Sequence, residues 1–313
     1  MSDAVQGFVL VEYLKMLQAA ENGVTEEGYR LKLYVSFDME GLAGIVSWKQ
    51  VDEKDRRYAK DLVRTQMEWL LEAIKSSSLN EKVEEIAVAD SHASGENIPY
   101  DISALDDRVY LISGMLRPFY MMPEMSSEYD RIVFFGYHAG AGALHGIMDH
   151  TYSGTAIHSI RLNGVLMNEA TLNLGYAWNV YGVPLALVFG DAVLEKELKE
   201  RLEGEYVHVV TKWGLSRHGA KMKPFNVLKE ELKEGIHRAL TMDRTELARL
   251  PMEKPLELLV EFNSSAFADV VCTIPGIERV DGRSVRFVHD DYKVVFESIM
   301  AMAYAVGGFL RYS

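Results

Sequence analysis

The chain has 313 residues, 48% of them hydrophobic and 10% aromatic, which is enough to bury a large core in one big domain or two. With 33 Lys plus Arg against 46 Asp plus Glu, a formal charge of −13, it is a poor match for a nucleic-acid backbone. The single cysteine, Cys272, excludes an internal disulfide and fits a reducing cytoplasm.

Residues 1–30 come before the first strand signal. Val9, Leu10, Tyr13, Leu14 and Leu17 recur at helical spacing and predict an amphipathic helix over residues 4–20. Glu12 and Lys15 break its apolar run and no basic region precedes it, so a secretory signal is not expected. No later stretch is expected to be long and apolar enough to span a membrane. From Leu31 onward short apolar runs alternate with helical segments: LKLYVSF, the helical YAKDLVRTQMEWLLEAIKSS, EEIAVAD, RVYLIS, RIVFFG, the helical MNEATLNLGYAWNVYG, and PLALVFGD. Val-, Ile- and Phe-rich runs separated by helices predict an α/β fold, a mostly parallel sheet with flanking helices. Within it, SIRLNGVLM reads as a hairpin turning at Asn163-Gly164, with Asn168 capping the helix that follows. After PLALVFGD the texture changes to charged helical stretches, then PLELLVEFN, VRFVHDD and the helix VVFESIMAMAYAVGGFL. That order predicts a smaller C-terminal α+β domain. The expected organisation is a helical extension (1–30), an α/β domain carrying the chemistry (31–221) and the smaller domain (222–313).

Ligands of open parallel sheets sit beyond the carboxyl ends of the strands. Here those ends deliver Asp38-Met39-Glu40-Gly41, Asp90-Ser91-His92, Tyr137-His138 and Asp191. Alternation places Asp38 and Glu40 together on the face opposite Leu33, Val35, Phe37 and Met39. Taken alone, such a pair reads as a turn cap and a salt bridge; the convergence of several strand ends favours a site. Glu169 falls in the first turn of the helix capped by Asn168, where the helix dipole favours a carboxylate. The Gly-rich loop HAGAGALHGIMDHTYSG, 138–154, matches no nucleotide-binding spacing but carries His145 and His150. A histidine held over a carboxylate-rich site is a candidate acid or base. Asp38, Glu40 and Glu169 gathered in a cleft would total −3, a costly arrangement without counter-charge. Two divalent ions would neutralise it, and Asp, Glu and His without Cys suit zinc in a catalytic site with open positions.

SFDMEG at 36–41, ADSHA at 89–93, GYHA at 136–139, GIMDH at 146–150 and Asn168-Glu169 occur in an order that resembles the zinc-dependent D-aminopeptidases of the DppA type. The resemblance implies two zinc ions per chain bridged by Asp38, with Glu40 and His138 completing one site and His92 and Glu169 the other. His150 would be the catalytic histidine near the scissile carbonyl. It further implies an aminopeptidase that releases N-terminal residues from short peptides, including D-amino-acid peptides, and a homo-oligomer assembled as a decameric ring; the single cysteine and the absent secretory signal place it in the cytoplasm as an expectation. Neither nucleic acid nor membrane is an expected partner. Two features depart from the pattern: the residues before the first strand, and a slightly longer His138–His150 loop with Asp149 in place of a smaller residue. A metal-dependent amidase or esterase acting on a non-peptide substrate, and a non-catalytic peptide-binding protein, stay open as alternatives.

Overall fold

The structure, a computed structural model, describes residues 30–51 and 57–311. The helix expected over residues 4–20 lies outside the described residues. In chain order the strands are β1 (Leu31–Phe37), β2 (Val83–Asp90), β3 (Val109–Ile112), β4 (Arg131–Tyr137), β5 (Ile157–Leu162), β6 (Val165–Met167) and β7 (Leu185–Gly190). There follow β8 (Val207–Val210), β9 (Lys212–Ser216), β10 (Gly219–Met222), β11 (Leu256–Phe262), β12 (Glu278–Arg279) and β13 (Ser284–His289). The principal helices are α1 (Arg57–Ser76), α2 (Glu169–Tyr176), α3 (Ala192–Lys199), α4 (Phe225–Thr241), α5 (Ser265–Val271) and α6 (Tyr292–Leu310).

A six-stranded sheet of order β3-β2-β1-β4-β7-β8 is parallel throughout. Its central strands are apolar on both faces because both are covered: every residue of β4 is buried. On one face Leu33, Val35, Phe37 and Phe189 pack with Met67, Leu70 and Ile74 of α1 and Leu228, Leu232 and Ile236 of α4. On the other, Tyr34, Phe134 and Tyr137 pack with α2, with Leu258, Val260 and Phe262 of β11, and with Phe296 and Ile299 of α6. The α/β class read from the alternating runs is therefore the observed one.

The expected division near residue 222 is crossed in both directions. An antiparallel sheet of order β12-β13-β11-β5-β6 takes two strands from before that point, with Leu258 opposite Leu162 and Val260 opposite Ile160. Helix α4, from after it, covers the parallel sheet. Strand pairing across about a hundred residues leaves no trace in local composition, which is all the boundary was read from. The hairpin itself is as expected: Asn163 and Gly164 both have positive φ, 51° and 79°, the pairing that a two-residue I′ turn requires. Helix α6 corrects the membrane expectation in one respect, since by length and composition alone it could cross a bilayer. It buries Tyr292, Val295, Phe296, Ile299, Met300, Met302 and Val306.

The strand order places the site. The chain lays β2 and β3 to one side of β1, then returns to lay β4 on the other, so the crevice beyond β1 and β4 is a topological switch point. There the segment after β1 lies directly on the end of β4: the Asp38 N–H donates to the Phe135 carbonyl (2.8 Å) and the Gly41 N–H to the Gly136 carbonyl (2.7 Å). A Cβ at Gly41 would stand 1.8 Å from the Tyr137 carbonyl oxygen, so only glycine allows this approach.

Candidate metal centre

Asp38 stands at the middle of the crevice with an imidazole on either hand. Its Oδ1 lies 3.1 Å from Nδ1 of His92, which follows β2, and its Oδ2 lies 3.5 Å from Nε2 of His138, which follows β4. Glu40 reaches the same His92 nitrogen through Oε2 at 3.0 Å. On the far side, Glu169 Oε2 is 3.5 Å from His138 Nε2, and its Oε1 is 3.6 Å from Nε2 of His150. The His138 and His150 rings stack, with centroids 4.5 Å apart. Two groups result, Asp38-Glu40-His92 and His138-His150-Glu169, each with its candidate donor atoms within 4.8 Å of one another. The side chains thus group differently from the expected sets: Glu40 lies with His92, and Glu169 with His138. The reason is the sheet order, because β2 and β4 flank β1 on opposite sides and Glu169 starts a helix on the β4 side.

Asp38, Glu40, His138 and Glu169 are buried, and Asp38 Oδ2, Glu40 Oε1 and His138 Nε2 have no hydrogen-bond partner among the described residues. Buried polar atoms are normally satisfied, so orphaned ligand atoms that converge from the ends of two adjacent strands, β1 and β4, fit a bound cation. Ligand tautomers are fixed accordingly. His138 Nδ1–H donates to the Ala139 carbonyl (2.8 Å) and His150 Nδ1–H to the Met148 carbonyl (2.9 Å), which makes Nε2 the nitrogen that each neutral ring would offer to a cation.

The electrostatics agree. Burial raises the Asp38 carboxyl to about 7, and the Glu40 charge adds to it. Burial acts on Glu40 in the same direction, but His92 beside it, with His150 and His138, holds its carboxyl well below the ordinary range. Burial would also lower the His92 imidazolium; Glu40 and Asp38 override it and hold the group at about 10. Glu169 and Asp38 likewise hold the His138 imidazolium well above its ordinary value, against burial. His150 alone is pushed down, by burial and by His138, and is the neutral imidazole of the group.

Other strand-end residues have structural duties. Asp90 Oδ2 accepts from the N–H groups of Asn97 (2.5 Å) and Ile98 (2.8 Å), which shapes the loop carrying His92. Asp191 caps α3 through Val193 and Leu194 and accepts from the Ala139 N–H (2.9 Å), anchoring the residue after His138. His145 is exposed against the Leu215 carbonyl and takes no part. Asn168 caps α2 as expected, accepting from the Thr171 N–H, and so fixes where Glu169 begins the helix.

Several contributors were not singled out in the sequence. Tyr152 donates its N–H to Glu169 (2.5 Å) and its hydroxyl to Asn173 (2.8 Å); Asn173 donates to the Tyr137 hydroxyl, which bonds Ser36 of β1 (2.6 Å). Lys212 is fully buried and spreads its ammonium over the carbonyls of Glu40, Leu42 (2.8 Å) and Ile45 (2.5 Å). Burial lowers that ammonium to about 7 against the opposing pull of Asp191, Glu40 and Asp38. Lys212→Met would remove the donor shared by three buried carbonyls in the segment that presents Glu40 and would leave those of Glu40 and Ile45 without a partner among the described residues, since Leu42 keeps the Ile45 N–H. It is expected to cost about 2–4 kcal/mol in denaturant unfolding; a loss under about 0.5 kcal/mol would show that the clasp is dispensable.

The centre opens into a cavity of about 460 Å³ whose walls include Trp48, Tyr120 and Tyr152. Orphaned carboxylate and imidazole atoms at the switch point of a parallel sheet put the chain in the class of metal-dependent enzymes. It belongs to the D-aminopeptidase family: residues 31–301 match the profile of peptidase family M55, described as D-aminopeptidase. Among curated proteins it is similar to the D-aminopeptidase of Bacillus subtilis (strain 168), 28% identical over 273 residues that cover 87% of this chain and 96% of that one. Among solved structures it resembles the Zn-dependent D-aminopeptidase DppA from Bacillus subtilis, described as a self-compartmentalizing protease. The TM-score is 0.79 at 27% identity, over 88% of this chain and 97% of the other.

Proposed function

We propose that the protein is a dizinc aminopeptidase that removes the N-terminal residue from short peptides, those of D-amino acids included, and that it works in the cytoplasm as a decameric ring. The observation that carries this reading is the set of unsatisfied buried atoms on Asp38, Glu40 and His138 at the switch point. Asp38, Glu40 and His92 would hold one ion, and His138 and Glu169 the other, with Asp38 between them. Zinc bound there supplies Lewis acidity for the peptide carbonyl and lowers the pKa of a water.

The chain's own residues do the rest. The substrate's N-terminal amine is held beside Asp38, Glu40 and the ions they would bind, so that the bond next to that amine is the one brought to the centre. His150, neutral and oriented by the Met148 carbonyl, offers Nε2 to take the proton of the attacking water and return it to the departing amine. Trp48 packs edge-on against the His150 ring at 5.1 Å and limits its rotation. The ring assembly rests on the self-compartmentalizing description of the solved relative.

The test compares D- and L-alanyl dipeptides with simple amides and esters that lack a free amine, before and after chelation. Dipeptide hydrolysis that chelation abolishes and zinc restores is expected. Faster turnover of the amine-free substrates would favour the amidase or esterase reading. Dipeptide binding without turnover in zinc-loaded protein would favour a binding protein.

A further inference from the structure

Among the described residues, the cavity that holds the centre is bordered by a single arginine, Arg217, and by no lysine. Arg217 stands at the tip of the β9–β10 hairpin, and its backbone is tied to the catalytic loop: the Met148 N–H donates to the Arg217 carbonyl (2.8 Å), and Met148 in turn accepts from His150. The arginine is therefore held in register with His150 by two consecutive hydrogen bonds. Its guanidinium is oriented as well. Nε lies 3.1 Å from Asp149 Oδ1, and Nη2 donates to the Asp149 carbonyl (3.0 Å). Asp149 is one of the positions where this chain departs from the pattern it resembles.

Asp149 occupies the Nε–Nη2 side of the guanidinium. The end-on edge, formed by Nη1 and the second Nη2 hydrogen, has no partner among the described residues. A planar fork of that kind matches a carboxylate in two parallel hydrogen bonds. Arg217 also borders a second cavity of about 450 Å³, and the two cavities share His150, Gly154 and Arg217. A peptide whose N-terminal amine lies at the centre and whose scissile bond lies by His150 extends toward that junction.

We propose that Arg217, pre-oriented by Asp149, binds the C-terminal carboxylate of the substrate, and so selects short peptides with a free carboxyl end over amides and longer chains. The inference rests on the aminopeptidase reading and adds the recognition of the second end.

The experiment measures kcat/KM of the zinc-loaded protein for an alanyl dipeptide and for the same dipeptide carboxamide, in the wild type and in Arg217→Ala. The wild type is expected to favour the free carboxylate by roughly tenfold or more, mainly through KM, and Arg217→Ala to bring the ratio close to one. Arg217→Lys, which keeps the charge but loses the fork, is expected to fall between. Affinities of the wild type for a non-hydrolysable reduced-amide dipeptide, as acid and as carboxamide, supply a readout independent of turnover and of any variant's folding. A wild-type preference near one, or an Arg217→Ala loss equal for acid and carboxamide, overturns the inference while leaving the aminopeptidase reading intact. Absence of hydrolysis of both dipeptides by zinc-loaded wild type overturns that reading and the inference with it.

Discussion

Asp38→Ala is expected to empty the centre and to lower kcat by on the order of a thousandfold or more, because it removes the group that lies between both sets of donors. The change in stability separates this from mere unfolding. In the metal-free protein Asp38 is a buried carboxylate beside Glu40 and near Glu169, and burial with those charges raises its pKa to about 7. Removing it relieves repulsion, so the Tm of metal-free Asp38→Ala is expected to equal or exceed that of metal-free wild type. Zinc is expected to raise the wild-type Tm by binding the folded state, and should no longer do so in the variant. A variant that still binds the wild-type amount of zinc would remove Asp38 from the centre.

His150→Ala is expected to lower kcat by about 10²–10⁴ while leaving the zinc content unchanged. The second half of that expectation decides its role. His150 sits with His138 and Glu169 closely enough to be a ligand itself, its Nε2 being 3.6 Å from Glu169. Two observations favour proton transfer. His150 is only partly buried and borders the substrate cavity, and it is the imidazole whose pKa falls, whereas the carboxylates hold His92 and His138 protonated until a cation replaces the proton. Loss of one zinc in His150→Ala would make it a ligand instead, and near-normal turnover would deprive it of either role.

What could be read in the sequence was what local chemistry determines. The i, i+2 carboxylates Asp38 and Glu40 do face one imidazole, even though β1 ends at Phe37 and the pair stands just beyond it. Asn163-Gly164 and the Asn168 cap were legible because turn and cap geometry select those residue types by themselves. Asp90 and Asp191 show the limit of the same reasoning: at strand ends identical in kind to that of β1, they satisfy loop and helix N–H groups, and nothing local distinguishes the two fates. Lys212 and Arg217 were invisible for another reason. The carbonyls that Lys212 clasps are about 170 residues away in sequence, and Arg217 meets Asp149 only because the β9–β10 hairpin folds over the catalytic loop. The joining of β5 with β11, which removed the boundary at 222, is non-local in the same way.

The central claim is a two-metal centre built on Asp38. Its most direct test is the metal content per chain, by mass spectrometry, of protein purified without chelator and dialysed. Two zinc ions per chain are expected in the wild type, and their loss in Asp38→Ala. Folded wild-type protein that holds no metal after reconstitution with zinc would contradict that claim, and would return Asp38 and Glu40 to the part of turn cap and salt bridge.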